Sequence, residues 1–459
     1  MKKIHLIAAC GTGMGTLACI LKEMGYQVTG SDLNVYPPMS DFLREKGIHL
    51  FEGYDPRHID HNPDLVIIGN AISKDNPEAV AVLERGTEYL SMPQAVNRFL
   101  AKDKKIILVT GTHGKTTTSS IMAHILISAD LDPSFMIGGI LKDYNSSFKI
   151  GQGEFMVIEG DEYDTAFFDK GPKFMHYDPA IAIMTGIEFD HADIFKDIDH
   201  IKSVFRAFVK KNEETAHIIA CDDNPDLNQV LSGSCAEVET YGSKGQWRFS
   251  DHRKIDGNTA YTVQGPDIRL GINTRLPGEH NIYNSLACIA AARKIGIRSD
   301  TVVKALADFN GIKRRQEIRG VKNGITVMDD FAHHPTAVQE TIKAVRPFYR
   351  NGKLVAVFEP RTNTSMRYFF QALYPRAFDQ ADMVCICEPG VKKKIEAHEK
   401  FSCRQLVRDI RQTGVSAHHF EKSDDILNFL PARLSSGDIV LVMSNGGFDN
   451  IHTRLLERI

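Results

Sequence analysis

Residues 107–122 read ILVTGTHGKTTTSSIM, and how this stretch is read decides the fold. An apolar strand ends at Thr110 and runs into a glycine-bounded turn, and a helix begins near Lys115. The N–H groups at a helix start lack backbone partners, and the helix dipole is positive there. Gly111 and Gly114 let the backbone curl closely around phosphate oxygens. Lys115 is placed to neutralise the β- and γ-phosphates of a nucleotide, and the Thr116 hydroxyl to bind Mg2+. The spacing departs from the common G-x-x-x-x-G-K-[ST] loop, because Val109 stands where that loop has its first glycine. The bland alternative, a glycine turn capped by threonines, leaves Gly-Lys-Thr directly after a strand without a purpose.

A magnesium site needs further hard oxygen ligands. EFMVIEGDEYD (154–164) is an apolar strand that ends in Glu159, the expected metal ligand, with Asp161, Glu162 and Asp164 close behind. PAIAIMTGIEFDH (179–191) ends in Asp190 and His191; a histidine there can bind a second metal or orient a phosphate. Read as an isolated residue, His191 is an ordinary surface histidine.

The same rhythm of strand, turn and helix runs along the whole chain. KIHLIAA (3–9) leads into CGTGMGT (10–16) and then a helix; QVTGSD (27–32) and DLVIIGNAI (64–72) are further strands. Near 245–265, GQWRFSDHRKIDGNTAYTVQG reads as antiparallel hairpins inserted before the helix in LPGEHNIYNSLACIAAARKIG (276–296). GITVMDDFAHHPTA (324–337), KLVAVFEPRTNT (353–364) and DIVLVMSNGGFDNIHTRLL (438–456) repeat the pattern. The expected architecture is α/β in three domains. Residues 1–102 form a Rossmann-like domain. Residues 103–320 form a mononucleotide-binding sheet with a β insertion, and 321–459 a second Rossmann-like domain.

The 459 residues suit about three domains. A net charge of −3 gives no reason to expect nucleic acid or an anionic membrane as partner. No apolar run approaches the ~18 residues of a membrane span, and the N-terminal run is broken too early for a signal peptide. The eight cysteines are scattered, which fits a reduced, cytoplasmic protein. The one close pair, Cys385 and Cys387, alternates along a strand and reads as buried thiols rather than a metal site.

GTHGKTT, IEGDEYD, EFDHADIF, PGEHNIYN, KRRQE and DDFAHHPT, in this order over the whole chain, resemble the Mur ligase family. Those enzymes build the peptide of the bacterial cell-wall precursor by ATP-driven amide formation, and a shortened G-T-x-G-K-T-T loop is their rule. The resemblance implies that Gly111, Thr112, His113, Gly114, Lys115, Thr116 and Thr117 cradle the ATP phosphates. It implies that Thr116 and Glu159 ligate one Mg2+ and His191 a second. Asn284 would read the adenine beside His280 and Asn281, Arg315 would reach the phosphates, and Asp330 would hold the ribose. Many members carry a carbamylated lysine beside the second metal; Lys202 is the candidate here, with Arg206 near the expected place. Lys115, Glu159, His191, Arg315 and His333 are the expected catalytic set. His333 and His334 suit proton transfer from the amine or capping of a helix.

The opening turn holds rather than reacts. Gly11 and Gly13 fit a dinucleotide fingerprint, but position 16 is threonine and Gly15 lies one residue short. With Asp32 after the second strand, the turn alone would admit a nicotinamide dehydrogenase. In the family it binds the UDP end of UDP-N-acetylmuramate, and Gly11, Thr12, Gly13, Met14, Gly15, Ser31, Asp32 and Asn70 are the expected contacts. The third segment is similar to the branch that adds the ready-made tripeptide L-Ala-γ-D-Glu-meso-diaminopimelate. The rival within the family adds single L-alanine. Arg361, Ser444, Asn445, Gly446 and the run Lys392–Lys394 are available for the tripeptide's carboxylates, although a lysine run is more often a solvated face. A nucleotide switch, a further rival, would use the loop but not the opening turn or the SNGG segment.

Overall fold

The structure, a computed structural model, describes residues 2–35, 39–192, 194–390 and 399–459. Lys392–Lys394 therefore lie outside the described residues. Among those described, the strands form three main sheets, each built on buried apolar runs.

The first sheet has the order β3-β2-β1-β4-β5 and is parallel throughout. Its strands are β1 (Lys3–Ile7), β2 (Gln27–Asp32), β3 (His49–Glu52), β4 (Leu65–Ile68) and β5 (Tyr89–Ser91). Strand order reverses at β1, which opens a crevice beyond its carboxyl end, where doubly wound sheets bind ligands. The glycine turn lies there, followed by the helix Thr12–Glu23.

The central sheet is seven-stranded, in the order β14-β13-β12-β6-β9-β7-β8. It comprises β6 (Lys105–Thr110), β7 (Ser134–Leu141), β8 (Ser146–Lys149), β9 (Phe155–Gly160), β12 (Pro179–Met184), β13 (His217–Cys221) and β14 (Glu237–Tyr241). Only β8 runs antiparallel. A short ribbon, β10 (Asp164–Ala166) and β11 (Asp169–Pro172), follows β9. The expected hairpins are an antiparallel sheet of β15 (Arg248–Ile255), β16 (Asn258–Gln264) and β17 (Arg269–Thr274). The helix Lys115–Ser128 packs on the helix Glu279–Ile295, whose Ala-rich core face is fully buried. Trp247, the chain's single tryptophan, is buried in this domain's core.

The third sheet has the order β18-β19-β23-β20-β21-β22: β18 (Glu317–Lys322), β19 (Ile325–Asp330), β20 (Leu354–Phe358), β21 (Met383–Cys387), β22 (Ser416–Phe420) and β23 (Ile439–Met443). Strand β18 is an antiparallel edge strand, and its first residues fall within the segment assigned above to the central domain. EIRGVK is charged and largely exposed, so it carries no hydrophobic alternation to announce a strand. Cys385 and Cys387 are free, buried thiols on β21, their pKa values pushed up to about 12 chiefly by burial.

Candidate active site

Strand β6 delivers the phosphate loop to the switch point of the central sheet, between β9 and β12. Gly111 has φ +121° and Gly114 φ +83°, conformations that side chains resist. A Cβ at Gly111 would meet Thr185 Oγ1 and come within 2.7 Å of Gly186 O; one at Gly114 would lie 2.6 Å from Asn284 Oδ1. The helix's first backbone bond runs from Thr118 N–H to Gly114 O, 2.9 Å. The N–H groups of the turn before it are thus free of helical partners, the condition under which a helix start binds phosphate.

The Lys115 ammonium folds over this turn. It donates to Gly111 O at 2.6 Å and to Glu162 Oε2 at 2.9 Å. Burial works against its charge, but Glu162 and Asp161 outweigh that and hold the proton more tightly than usual. Glu162 is one of three acids behind Glu159 to which sequence reading assigned no role. Asp161 is drawn down by Lys173 and Lys115 against the opposing effect of burial.

The Thr116 hydroxyl donates to Glu159 Oε2 at 3.1 Å, while Gly138 N–H donates to Glu159 Oε1 at 2.7 Å. Two cis oxygens of octahedral Mg2+ stand ~3 Å apart, so this pair fits the ion. Burial and then neighbouring Asp161 push the Glu159 carboxyl upward, so its charged form would gain from a divalent cation. His191, expected at a second ion, takes a left-handed φ of +52°, its N–H donates to Asp190 Oδ1 at 2.7 Å, and its ring faces Tyr163. No described hydrogen bond links it to Thr116 or Glu159. Lys202 is held by Asp199 at 2.8 Å and by Asp226 at 3.2 Å.

The linker after Ile312 carries the third domain onto the loop. Arg314 and Gln316 both have positive φ, which aims the intervening Arg315 inward, and its guanidinium reaches Thr116 Oγ1 at 3.4 Å. Asp330 accepts from Gln316 N–H (2.8 Å), Ala332 N–H (2.7 Å) and the Thr341 hydroxyl (3.3 Å). Asn284 accepts from Thr118 and donates to Asn281, so both amides brace the loop helix from below. His280 keeps a buried Nδ1 without a partner, and burial, aided by Lys343 and Arg315, pushes its pKa down to about 4. Gly278 and Glu279, just before it, line a cavity of about 250 Å³ shared with Lys343 and Phe348.

His333 faces Asp190 and is held below the ordinary histidine range, mainly by burial. Its Nδ1 lies 3.0 Å from Phe331 O, and donation there leaves the lone pair on Nε2. In the third sheet Arg361 lies across Gly446: a Cβ there would meet its Nε at 2.6 Å. Arg314 donates to Ser444 O (2.7 Å) and Gly446 O (2.6 Å), and the Ser444 hydroxyl to Glu359 (2.7 Å). Asn445 Oδ1 is buried without a partner.

In the first domain Gly11, Thr12 and Asn70 are exposed at the crevice, Gly13 is half-buried, and Met14 and Gly15 are buried under it. A Cβ at Gly15 would lie 3.2 Å from Ala9 O, so this glycine allows the helix to sit close to the strand. Asp32 accepts from Cys10 N–H at 2.9 Å and so fixes the turn. Ser31 is turned away: it is fully buried and donates to the buried Glu78. The reason is that a parallel strand buries both faces, and Ser31 falls on the face with His5 and Glu78.

A glycine-rich loop at the centre of the middle sheet, reached by Arg315 from the segment that leads into the third sheet, marks a three-part α/β ligase, and the chain belongs to the Mur ligase family. The family's catalytic-domain model matches residues 3–104, the Mur ligase middle domain 109–292, and the glutamate ligase domain 314–446. The chain is similar to the UDP-N-acetylmuramate–L-alanyl-γ-D-glutamyl-meso-2,6-diaminoheptandioate ligase of Escherichia coli: 39% identical, covering 99% of this chain and 98% of that protein. It is 32% identical to the UDP-N-acetylmuramate–L-alanine ligase of Clostridium acetobutylicum, over 100% of this chain and 98% of that one. A crystal structure of a murein peptide ligase from Psychrobacter arcticus superposes with a TM-score of 0.74 at 34% identity, covering 100% of this chain and 98% of the other. Among the described residues no helix is long and apolar enough to cross a membrane.

Proposed function

We infer that the protein is an ADP-forming ligase joining the lactyl carboxylate of UDP-N-acetylmuramate to the amino end of L-Ala-γ-D-Glu-meso-diaminopimelate, in the cytoplasm. The observation that carries the substrate assignment is end-to-end identity of 39% to a ligase named for that tripeptide, against 32% to one named for L-alanine. Arg361 and the Ser444–Gly446 turn supply a cation and N–H groups suited to a peptide rich in carboxylates.

A carboxylate acylates poorly because its leaving group is oxide; transfer of the γ-phosphate of ATP gives an acyl phosphate with a good one. Lys115, Arg315 and the free N–H groups of residues 113–117 offset the phosphate charge and align the reactants. Thr116 and Glu159 would hold Mg2+, which supplies Lewis-acid neutralisation at the phosphates. His280, neutral and with a free ring nitrogen, would face the adenine, and Asn281 and Asn284 support it. His333 Nε2 would accept the proton from the attacking amine while Asp190 stabilises the imidazolium. Closure of the third domain excludes the water that would hydrolyse the intermediate.

The test is ADP release from ATP with UDP-N-acetylmuramate plus either the tripeptide or L-alanine. Release with the tripeptide alone is expected. Release with alanine alone overturns the substrate assignment, and no release with either overturns the ligase reading.

A further inference from the structure

Three ligand-type side chains from two domains meet beside the phosphate loop, and the reaction proposed above gives none of these three side chains a step. His113 lies in the loop, Glu188 follows β12, and His334 precedes the helix Pro335–Val345. His113 Nε2 is 3.4 Å from Glu188 Oε2, and His334 Nδ1 is 3.7 Å from that same oxygen. All three donor atoms lie within 4.8 Å of one another. His113 Nε2 is buried and has no hydrogen-bond partner.

The surroundings match those of bound imidazoles. His334 Nε2 lies 3.4 Å from Phe189 O; donating there leaves the Nδ1 lone pair facing Glu188, as in metal-ligating histidines whose far nitrogen bonds a backbone carbonyl. Thr336 donates to Glu188 Oε2 at 2.8 Å and so fixes the carboxylate.

The geometry points to an additional cation site, separate from the expected magnesium positions at Thr116–Glu159 and His191, for a borderline divalent ion such as Zn2+ or Co2+, ligated by His113 Nε2, Glu188 Oε2 and His334 Nδ1. Tetrahedral Zn2+ places neighbouring ligand atoms ~3.4 Å apart, close to the two shorter separations. Two imidazoles disfavour Mg2+, which prefers oxygen, so the site is distinct from the Thr116–Glu159 pair. His334 Nδ1 would release its 3.3 Å bond from Thr336 N–H on ligation. Because His113 and Glu188 belong to the central domain and His334 to the third, the ion would cross-link them and slow the opening that turnover needs.

The experiment adds Co2+ to the full-length protein in saturating Mg2+ and follows the visible d–d bands. One equivalent is expected, with affinity lowered at least ~10-fold in both Glu188→Gln and His334→Gln. Zn2+ should raise the unfolding temperature of the wild type and not of either variant. Trp247 fluorescence confirms that each variant is folded, and using two variants guards against loss of one. Absence of d–d bands at one equivalent overturns the site. So does a thiolate-to-cobalt charge-transfer band of equal strength in wild type and variants, which would assign the ion to cysteines. None of these readouts depends on the ligase reaction.

Discussion

Gly111→Ala separates the two reasons for glycine in the phosphate loop. The first is backbone conformation: φ of +121° is reached by an L-residue only at about 1–3 kcal/mol. The second is space, since the new methyl would meet Thr185 Oγ1 and lie 2.7 Å from Gly186 O and 3.0 Å from Gly186 N. Two of these atoms are backbone and cannot rotate aside, so overpacking adds about 1–3 kcal/mol. Gly171 provides the control. It lies in the same domain at φ +123°, and a Cβ there would meet nothing within 4 Å. Gly171→Ala should therefore show the conformational cost alone, and Gly111→Ala should exceed it by about 1–3 kcal/mol. Trp247 reports the central domain without interference, being the chain's single tryptophan and buried in that core. Denaturant unfolding followed by its fluorescence measures both variants on one transition. ADP formation should collapse in Gly111→Ala and persist in Gly171→Ala. Equal destabilisation by the two substitutions would refute the claim that close packing against Gly186 shapes the loop.

Lys115→Ala should abolish ADP formation and destabilise by about 3–5 kcal/mol, because it leaves Glu162, 5% exposed, buried without its cation. Adding Glu162→Gln should restore the unfolding midpoint but not activity; recovery of both would remove Lys115 from the chemistry. Glu159→Gln should move half-maximal ADP formation to ~10-fold higher Mg2+ or beyond, and an unchanged Mg2+ titration would count against the Thr116–Glu159 pair. His280 gives a pH prediction. Its folded pKa of about 4 lies below the ordinary 6.5, so the unfolded chain takes up the proton first as pH falls. Its contribution is complete above pH 6.5 and is lost between about 6.5 and 4, amounting to about 3 kcal/mol. Unfolding followed at Trp247 should show this slope and His280→Asn should flatten it; identical slopes would refute the assignment.

The phosphate loop was legible because its chemistry is local: strand, two glycines and lysine lie within ten residues. Strands such as β6, β12 and β23 were legible for a similar reason, since a strand buried on both faces reads as an unbroken apolar run. What stayed hidden depends on groups brought together from afar. The Lys115–Glu162 pair joins two strand ends, and the orientation of Ser31 toward Glu78 is set by which face of β2 it occupies. The meeting of Glu188 with His334 exists only once two domains dock. The left-handed residues on either side of Arg315 carry no glycine signal, because Arg314 is held in place by the carbonyls of Ser444 and Gly446.

The third sheet places β23, its last strand in sequence, between β19 and β20. Translation therefore delivers the central strand of that sheet after its neighbours. A nascent or prematurely terminated chain that stops before Ile439 would present two facing strand edges with nothing between them, each a template for pairing with another chain. Late nonsense mutations should accordingly behave as complete losses of the protein, cleared by proteases or aggregated, rather than as mild truncations of its tail.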